Sequence, residues 1–387
     1  MYAILSFLIF AVALYLFDRF ASGDRAVLKS VEQSVDLAID NLLNRKIKST
    51  GLWIYDYNII KDEVINYGYG VEVRLMGVTY IWGNIIDSGL DEDKTLLAEL
   101  KDSLDKILEN TEIYNPGNSK LRLLTYHDEN KIGSLALLYM GGLSAMHNDP
   151  NWKDKNEEKI NEILNTILWL QKKNGDFAQT ITFNTKKSDI ESLDGSGYAL
   201  GESMLALVRA SKEYPKREDV QNALKEAALF LKKRGVDTQY KGLYLWLMTV
   251  AYEAQSAPIE PELKAMLEDL AKQYHLAMRS KLVFYSNKYN TCAHTEGLAR
   301  YILLEGNNES VKEEREVYLK SILANMNLQI IGKSKEYILK SNPEIPESAF
   351  ENKYATGAFL DSLQKGGTRI DYTQHCINAF LPIDEIL

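Results

Sequence analysis

The sequence predicts an all-α protein, an (α/α)6 toroid of six helical hairpins that follows one N-terminal transmembrane helix. Three observations predict this fold class. Apolar residues recur at helical spacing through most of the 387-residue chain. Segments that are apolar on nearly all sides alternate with charged, amphipathic segments. Residues 1–17 carry no charged side chain, which is typical of a segment inserted in a membrane.

The helices of the predicted toroid alternate in character along the chain. Charged, amphipathic helices are predicted over residues 24–48, 91–108, 156–173, 217–234, 261–281 and 308–327. Apolar helices rich in small residues are predicted over residues 71–88, 131–147, 198–210, 242–252, 293–304 and 371–381. A helix that is apolar on nearly all sides must be surrounded by protein, so we expect the second set inside and the first set outside.

A closed ring is favoured over an open array of helical hairpins. Two-helix units that cannot bury their own apolar faces must stack on their neighbours. An open array of the HEAT or tetratricopeptide type would leave the ends of such apolar inner helices exposed, whereas a ring would not. Residues 174–194 alternate like a short hairpin. Residues 329–367, the longest irregular stretch, are expected to form a lid or rim loop over a cleft.

Residues 1–22 are predicted to be a membrane anchor, and residues 23–387 the toroid domain. The uncharged run would span roughly 25 Å as a helix, near the lower limit for crossing a bilayer. No basic segment precedes it and no small-residue cleavage site follows, so we expect it to be retained. Arg19, Arg25 and Lys29 would keep the domain cytoplasmic by the positive-inside rule, whereas such anchors commonly lead to an exported domain. An extracytoplasmic domain is expected, with the orientation left open.

Composition excludes several partners. A net charge of −9, with no basic aromatic stripe, argues against nucleic acid. No zinc spacing is present and no cofactor is predicted; the histidine and carboxylate positions could host a metal ion, but no spacing demands one. The two cysteines, Cys292 and Cys376, are too few for a disulfide framework. Each lies near the start of a predicted inner helix, so they could face each other. Buried free thiols are favoured, and a single bridge is the alternative for an extracytoplasmic domain.

Candidate functional residues lie at the starts of the inner helices. In a toroid all inner helices run the same way, so their N-terminal ends share one face, and helix N-termini favour carboxylates and oxyanions. The candidate catalytic residues are Glu202, Glu296, Asp371, Tyr372 and His375. The candidate substrate-binding residues are Arg74, His127, Tyr198, Tyr244, Trp246, His294 and Arg369.

Several of these residues also have a purely structural interpretation. Glu202 lies one turn inside an apolar helix, where helix capping cannot explain a carboxylate, so it is expected to be paired or functional. Asp371 at a helix start is equally explained as an N-cap. His375 lies four residues after Asp371 on the same helix face and can form a hydrogen bond with it. That pair either orients the imidazole for proton transfer or has a structural role only. Tyr244 and Trp246 suit either a sugar-stacking wall or the core.

Carboxylates, histidines and aromatic rings in one cleft suit a sugar, because its flat apolar faces pack on rings and its hydroxyl groups bond to carboxylates. Glycoside hydrolysis needs two carboxylates at a separation set by the mechanism. Epimerisation or β-elimination of a uronic acid needs tyrosine or histidine bases beside a cation, for which Arg369 is available.

The alternating helices resemble the six-hairpin toroid superfamily, which includes many glycosidases, polysaccharide lyases and sugar epimerases. The segment Arg369-Ile370-Asp371-Tyr372, followed by Ile377-Asn378, is similar to the C-terminal motif of D-glucuronyl C5-epimerases. In that family the tyrosine of the motif is catalytic, which by resemblance falls on Tyr372, and the proteins are N-terminally membrane-anchored. The chain departs from the motif at its histidine, which sits one residue out of register at His375, and in lacking recognisable β-rich domains.

We therefore expect a membrane-anchored enzyme that acts on a glycan or sugar-containing polymer of the cell envelope by acid–base chemistry of the epimerase, lyase or hydrolase type. The alternative is a non-catalytic glycan-binding or scaffold subunit of an envelope polysaccharide biosynthesis or export complex, with other envelope proteins as partners. A terpene-cyclase-like enzyme is disfavoured because the chain has no Asp-rich motif to ionise a prenyl chain.

Overall fold

The computed structural model describes residues 27–65, 71–237, 241–306, 308–343 and 345–387. The predicted anchor at residues 1–22 lies outside these ranges. Within them, no helix combines the length and the apolar character needed to cross a membrane.

Fourteen α-helices occur in the described part of the chain, with short strands between some of them. In chain order the helices are α1 (residues 27–45), α2 (Val71–Asp87), α3 (Thr95–Glu109), α4 (Ile132–Asn148), α5 (Pro150–Trp169), α6 (Gly197–Glu213), α7 (Glu218–Arg234), α8 (Lys241–Ala254), α9 (Pro261–Met278), α10 (Cys292–Glu305), α11 (Lys312–Met326), α12 (Gly332–Ser341), α13 (Ile370–Phe380) and α14 (Ile383–Ile386).

The inner wall of the fold is a closed ring of six of the described helices. Helices α2, α4, α6, α8, α10 and α13 follow one another around the ring, and α13 packs against α2 to close it. The outer helices α3, α5, α7, α9 and α11 each pack on the inner helix next to them in sequence. The predicted (α/α)6 toroid and its alternation of inner and outer helices are therefore confirmed, and the open array is excluded.

Small residues let the inner helices approach one another closely. In α4 every residue from Ile132 to Met146 is buried, which requires protein on all sides. Gly141 of this helix packs directly on Thr79 of α2, where an added Cβ would lie 2.7 Å from the Thr79 Cβ. The outer helix α3 instead buries one stripe of residues, Leu97, Leu100 and Leu104, at helical spacing.

The short strands form three two-stranded antiparallel sheets. They are β1 (Asp56–Asn58) with β2 (Glu63–Ile65), β3 (Thr111–Tyr114) with β4 (Leu121–Leu124), and β5 (Asn130–Lys131) with β6 (Thr180–Ile181). The hairpin predicted within residues 174–194 is wrong in its pairing, because β6 bonds to β5 just before α4. An alternating pattern identifies a strand, whereas its partner is set by the ring that brings distant segments together.

Residues 328–363 form a lobe with a small core of its own. Its buried residues pack on Tyr57 and Ile59 of the β1 segment. The backbone N–H groups of Thr368 and Ile370 donate to the carbonyls of Tyr57 and Tyr55, so the start of α13 is held against an extended segment from the N-terminal part of the chain. This pairing fixes where the last inner helix begins.

A disulfide joins Cys292 of α10 to Cys376 of α13. The preference for free thiols is therefore wrong, and the alternative of a single bridge is what the structure contains. The packing of α13 against α10 places the two Cα atoms 4.8 Å apart, within the range that a disulfide spans. The sequence carries no signal for that proximity beyond the position of each cysteine near a helix start.

The close packing of α2 on α4 predicts different effects of alanine at two neighbouring glycines. Gly141→Ala places a Cβ within 3 Å of the Thr79 backbone, which can shift only together with helix α2. We therefore expect a loss of about 1–3 kcal/mol in the free energy of unfolding. Gly142→Ala is the matched control, because the atoms nearest its Cβ belong to the Ile160 side chain and not to the backbone. Denaturant unfolding measures both variants, and equal midpoints would contradict the packing described.

Candidate functional site

A cavity of about 470 Å³ opens where the inner helices begin. Its walls include residues from the first two turns of α2, α4, α6, α10 and α13, together with Trp246 of α8. The structure thus brings the polar starts of the inner helices around one space. Because these starts point their unpaired N–H groups to the same side, the cavity favours electronegative oxygen atoms of a ligand.

The carboxyl group of Glu202 is the most unusual feature of the cavity wall. Its side chain is 5% exposed and forms no hydrogen bond with any residue in the described ranges. The absence of a side chain at Gly133 on α4 makes room for it, since a Cβ there would lie 2.1 Å from Glu202 Oε2. Burial raises the pKa of Glu202 to about 8, against the opposing effect of the positive charge on Arg74. The group therefore holds its proton at neutral pH.

Asp371, in contrast, is a carboxylate that accepts hydrogen bonds from two arginine side chains. Its Oδ2 accepts from Arg74 Nε at 3.2 Å, and its Oδ1 accepts from Arg369 Nε at 3.0 Å, with a second contact from Arg369 Nη2. Asp371 is thus not an N-cap, since its oxygens bond to guanidinium groups. Both arginines also lie over the ring of Tyr55 at 5.7 Å, and Arg369 lies over Tyr372 at 4.6 Å. The two guanidinium groups thus compensate the charge of the Asp371 carboxylate at this wall.

His375 and Glu296 form a hydrogen-bonded pair between α13 and α10. The Nδ1 atom of His375 lies 2.8 Å from Glu296 Oε2, and Asn378 Nδ2 donates to Glu296 Oε1 at 2.7 Å. Burial lowers the pKa of His375, but the hydrogen bond to Glu296 and the charges of Glu296 and Asp371 outweigh it and raise the pKa. His375 lines the cavity while Glu296 is buried behind it, so Glu296 orients the imidazole and does not face a ligand.

A chain of polar side chains fills the axis of the ring beyond Asn378. Asn84 of α2 donates to Asn378 Oδ1 at 3.0 Å and accepts from Arg209 of α6 at 2.9 Å. Arg209 in turn makes two hydrogen bonds to Glu253 of α8, at 3.0 and 2.6 Å. The network thus connects the C-terminal halves of α2, α6, α8 and α13, away from the helix starts that line the cavity.

Eight of the twelve candidate residues line the cavity. They are Arg74, Tyr198, Glu202, Trp246, Arg369, Asp371, Tyr372 and His375. Tyr198 stands at the rim with 59% of its surface exposed, and its ring covers Gly242 of α8. The roles assigned to these residues remain predictions, but their proximity is a property of the fold.

Tyr244 does not belong to the cavity wall. It is fully buried, and its hydroxyl group bonds to His275 Nδ1 at 2.9 Å in the core between α8 and α9. Tyr244 and Trp246 are two positions apart, which is about 200° around a helix, so they cannot face the same space. Proposing both as one stacking wall is therefore wrong in geometry, and only Trp246 faces the cavity.

Two of the candidate histidines also lie outside the cavity. His294 Nδ1 bonds to the carbonyl oxygen of Val283 at 2.8 Å, and its ring packs edge-on against Phe284. His127 is exposed in the turn between β4 and β5. Both residues precede or begin an inner helix, as predicted, but a position near a helix start does not decide which way a side chain points.

Sequence reasoning missed several residues of the cavity and its support. Lys131, Gln179, Gln374 and Asn378 line the cavity, and Tyr55 supports its two arginines. Asn378 belongs to the sequence motif around Arg369, so that motif could have identified it as a cavity residue. The contribution of Tyr55 depends on pairing with residues more than 300 positions away, which no local pattern reveals.

The described part of the chain gives no support for the expected lid over the cavity. It also contains no candidate metal site. None of residues 329–367 that the structure describes lines the cavity. Across the described ranges, no group of three or more histidine, cysteine, aspartate or glutamate side chains is placed to hold a metal ion.

Solved structures share this fold over nearly the whole chain. A sugar epimerase from a ruminal bacterium is 12% identical, with a TM-score of 0.62, over 92% of this chain and 98% of that one. An unsaturated glucuronyl hydrolase specific for heparin is 12% identical, with a TM-score of 0.61, over 92% and 98%. An inactive variant of the α-1,6-mannanase GH76A of Salegentibacter sp. HEL1_6, in complex with α-1,6-mannotetrose, is 12% identical, with a TM-score of 0.59, over 93% and 99%.

At these identities the likeness shows the fold alone. No family model matches the sequence, and the comparison with curated proteins finds no match. The chain is therefore an (α/α)6 toroid, the fold that it shares with these solved structures.

The burial of Glu202 predicts an unusual dependence of stability on pH. Its pKa is about 8 in the folded protein and near 4.5 in the unfolded chain, so between these values only the unfolded state releases the proton. Stability is lost as pH rises through this window. Glu202→Gln removes the effect, and we expect it to exceed the wild type in free energy of unfolding by up to about 5 kcal/mol at pH 9, with little difference near pH 4.5.

Denaturant unfolding at both pH values measures this difference. Glu213→Gln, at the other end of α6, is the control, because Glu213 is paired with His147 at 2.6 Å and Lys153 at 2.7 Å. A Glu202→Gln protein that gains nothing at pH 9 would show that the carboxyl ionises without strain.

Proposed function

We propose that the chain is a carbohydrate-active enzyme, anchored by residues 1–22, that binds a sugar residue of an envelope glycan in the cavity and carries out acid–base chemistry on it. The observation that carries the proposal is Glu202, a buried carboxyl group in the cavity wall that keeps its proton at neutral pH. A protonated carboxylic acid in a cleft is what general acid catalysis requires. A purely structural carboxylate would be expected to have a partner.

A second titratable group lies across the cavity from Glu202. Helices α6 and α13 are separated by two others in either direction around the described ring, so Glu202 and His375 belong to opposite walls. Glu296 fixes the imidazole through Nδ1, which leaves Nε2 of His375 available to a ligand. A sugar ring between the two walls would have a proton donor on one side and a proton acceptor on the other once His375 is neutral.

This arrangement favours proton transfer at carbon over simple hydrolysis. Hydrolysis of a glycosidic bond uses two carboxylates, and the second cavity carboxylate, Asp371, already bonds to Arg74 and Arg369. Epimerisation, isomerisation or elimination instead uses two proton-transfer groups and a cation near the developing negative charge. Tyr372 beside Arg369 fits the catalytic tyrosine of the motif shared with D-glucuronyl C5-epimerases, which gives independent support for this class.

The cavity and the solved structures of similar fold both support a sugar as the substrate. A cavity of about 470 Å³ with tyrosine and tryptophan at its walls and several amides and charged groups inside is suited to a polyhydroxylated ring. The structural neighbours are described as a sugar epimerase, a glucuronyl hydrolase and a mannanase.

An extracytoplasmic location is part of the proposal. Disulfides persist in oxidising compartments and are rare in the cytosol, so the bridge between Cys292 and Cys376 supports an exported domain. The anchor itself rests on the uncharged run at residues 1–17. Together they support our proposal that the cavity acts on glycans of the cell envelope.

The test is a set of reactions in deuterated water. The protein is incubated with mannose, α-1,6-mannan, glucuronic-acid-containing polymers and unsaturated heparin disaccharides, and proton NMR follows deuterium uptake, new anomeric signals and loss of polymer. We expect turnover of at least one of these, with deuterium incorporated at the reacting carbon. Glu202→Gln should lower the rate on the order of 10²- to 10⁴-fold, whereas Glu213→Gln should leave it unchanged.

Two outcomes would contradict the proposal. Full activity of the Glu202→Gln protein would remove Glu202 from the chemistry. Saturable binding of a glycan without turnover of any substrate would instead support the non-catalytic alternative, a glycan-binding subunit of an envelope assembly.

A further inference from the structure

The disulfide and the His375–Glu296 pair connect the same two helices at the same level. Cys292 and Glu296 are four residues apart on α10, so they lie on one face of that helix. On α13, His375 directly precedes Cys376. The sulfur bridge therefore joins the two helices within one turn of the hydrogen bond that orients the imidazole.

The start of α13 is also attached to α2 on its other side. Gln374 Nε2 donates to the carbonyl oxygen of Arg74 at 2.8 Å, and Asp371 bonds to the Arg74 side chain. These contacts favour a position of α13 close to α2. On the α10 side, the contacts are the disulfide, the two hydrogen bonds to Glu296, and Asn290 Nδ2 near Cys376 Sγ at 3.3 Å.

We propose that the Cys292–Cys376 bridge is a positioning element for the proposed reaction, which holds His375 Nδ1 within hydrogen-bonding distance of Glu296 and so aims Nε2 into the cavity. Both sulfurs are buried, so they act through His375 rather than on a ligand. The expected effect of the bridge on the reaction rate rests on the proposed function, whereas its expected effect on the pKa of His375 does not.

Several charged and titratable groups face His375 and must be considered together. They are Glu296 from α10, Asp371, Arg369 and Tyr372 from the start of α13, Arg74 and Tyr80 from α2, and Glu202 from the opposite wall. Of these, Glu296 is the group whose distance from the imidazole the bridge controls. Loss of the bridge is therefore expected to weaken the one interaction that most favours the charged imidazole.

The first experiment is an NMR titration of the His375 imidazole in the wild type and in the Cys292→Ala/Cys376→Ala protein. The chain has five histidines, and the His375 signal is identified by its loss in His375→Asn. We expect a lower pKa of His375 without the bridge, shifted in the same direction as in Glu296→Gln. An unchanged pKa in a folded double variant would overturn the proposal. No substrate is needed for this readout.

Reduction of the wild type gives the same comparison without substitution. A dithiol reductant supplies two electrons and two protons, leaves two cysteine thiols and becomes its own cyclic disulfide. Since the chain has two cysteines, the reagent acts on this bridge alone, and the double variant controls for its other effects. An imidazole titration that is the same before and after complete reduction would likewise overturn the proposal.

A further variant decides the question if the double variant does not fold. Asn378→Ala keeps the bridge and removes the other hydrogen bond to Glu296. We expect the His375 pKa to stay above that of Glu296→Gln, because the bridge still holds the pair together. A fall to the Glu296→Gln value would show that Asn378, rather than the disulfide, positions Glu296.

The kinetic readout links the bridge to catalysis once a substrate is found. Loss of the bridge should lower kcat on the order of 10- to 100-fold with little change in KM, and should move the limb of the pH profile that follows His375. A change in KM alone would contradict a positioning role. If no glycan reacts, the proposed function fails while the titration still tests the positioning of His375.

Discussion

The contact between the first and last inner helices is the constraint on which the rest of the structure depends. Gln374 of α13 bonds to the backbone of Arg74 in α2 across 300 positions of sequence. Its side chain also occupies the space above Gly77, where a Cβ would lie 2.2 Å from its Oε1. This contact turns a series of hairpins into a ring. Only in a closed ring do the helix starts, and the polar side chains they carry, face one common space.

In the closed ring, two buried carboxyl groups lie in different environments. Asp371 lies where two guanidinium groups converge, so its charge is compensated on entering the protein. Glu202 lies on the wall opposite α13, where its carboxyl group has no hydrogen-bond partner among the described residues, and the cost of burying a charge keeps it protonated. The contrast is informative, because a fold selected for stability alone would pair or replace Glu202. An unpaired acid that faces a cavity is better explained by use than by packing.

Patterns confined to single helices predicted the architecture well. The alternation of apolar and charged helices predicted the six inner helices and the five outer helices that pack on them, and helix starts identified Glu202 and the segment from Arg369 to His375. Local patterns failed where a property depends on the direction of a side chain or on a distant partner. Tyr244 shares a helix with Trp246 but faces the core, and Cys292 meets Cys376 only because α13 packs beside α10 in the ring. Tyr55 supports two arginines from an extended segment without any distinguishing pattern of its own.

The protonation state of Glu202 is the central claim, and it can be measured without knowledge of the substrate. The protein is labelled with ¹³C at the glutamate carboxyl carbon, and the signal present in the wild type but absent from Glu202→Gln is followed with pH. The account predicts that this carboxyl group titrates far above the ordinary value of 4.5, near pH 8. A midpoint close to 4.5 would mean that Glu202 is ionised at neutral pH and cannot serve as the proton donor.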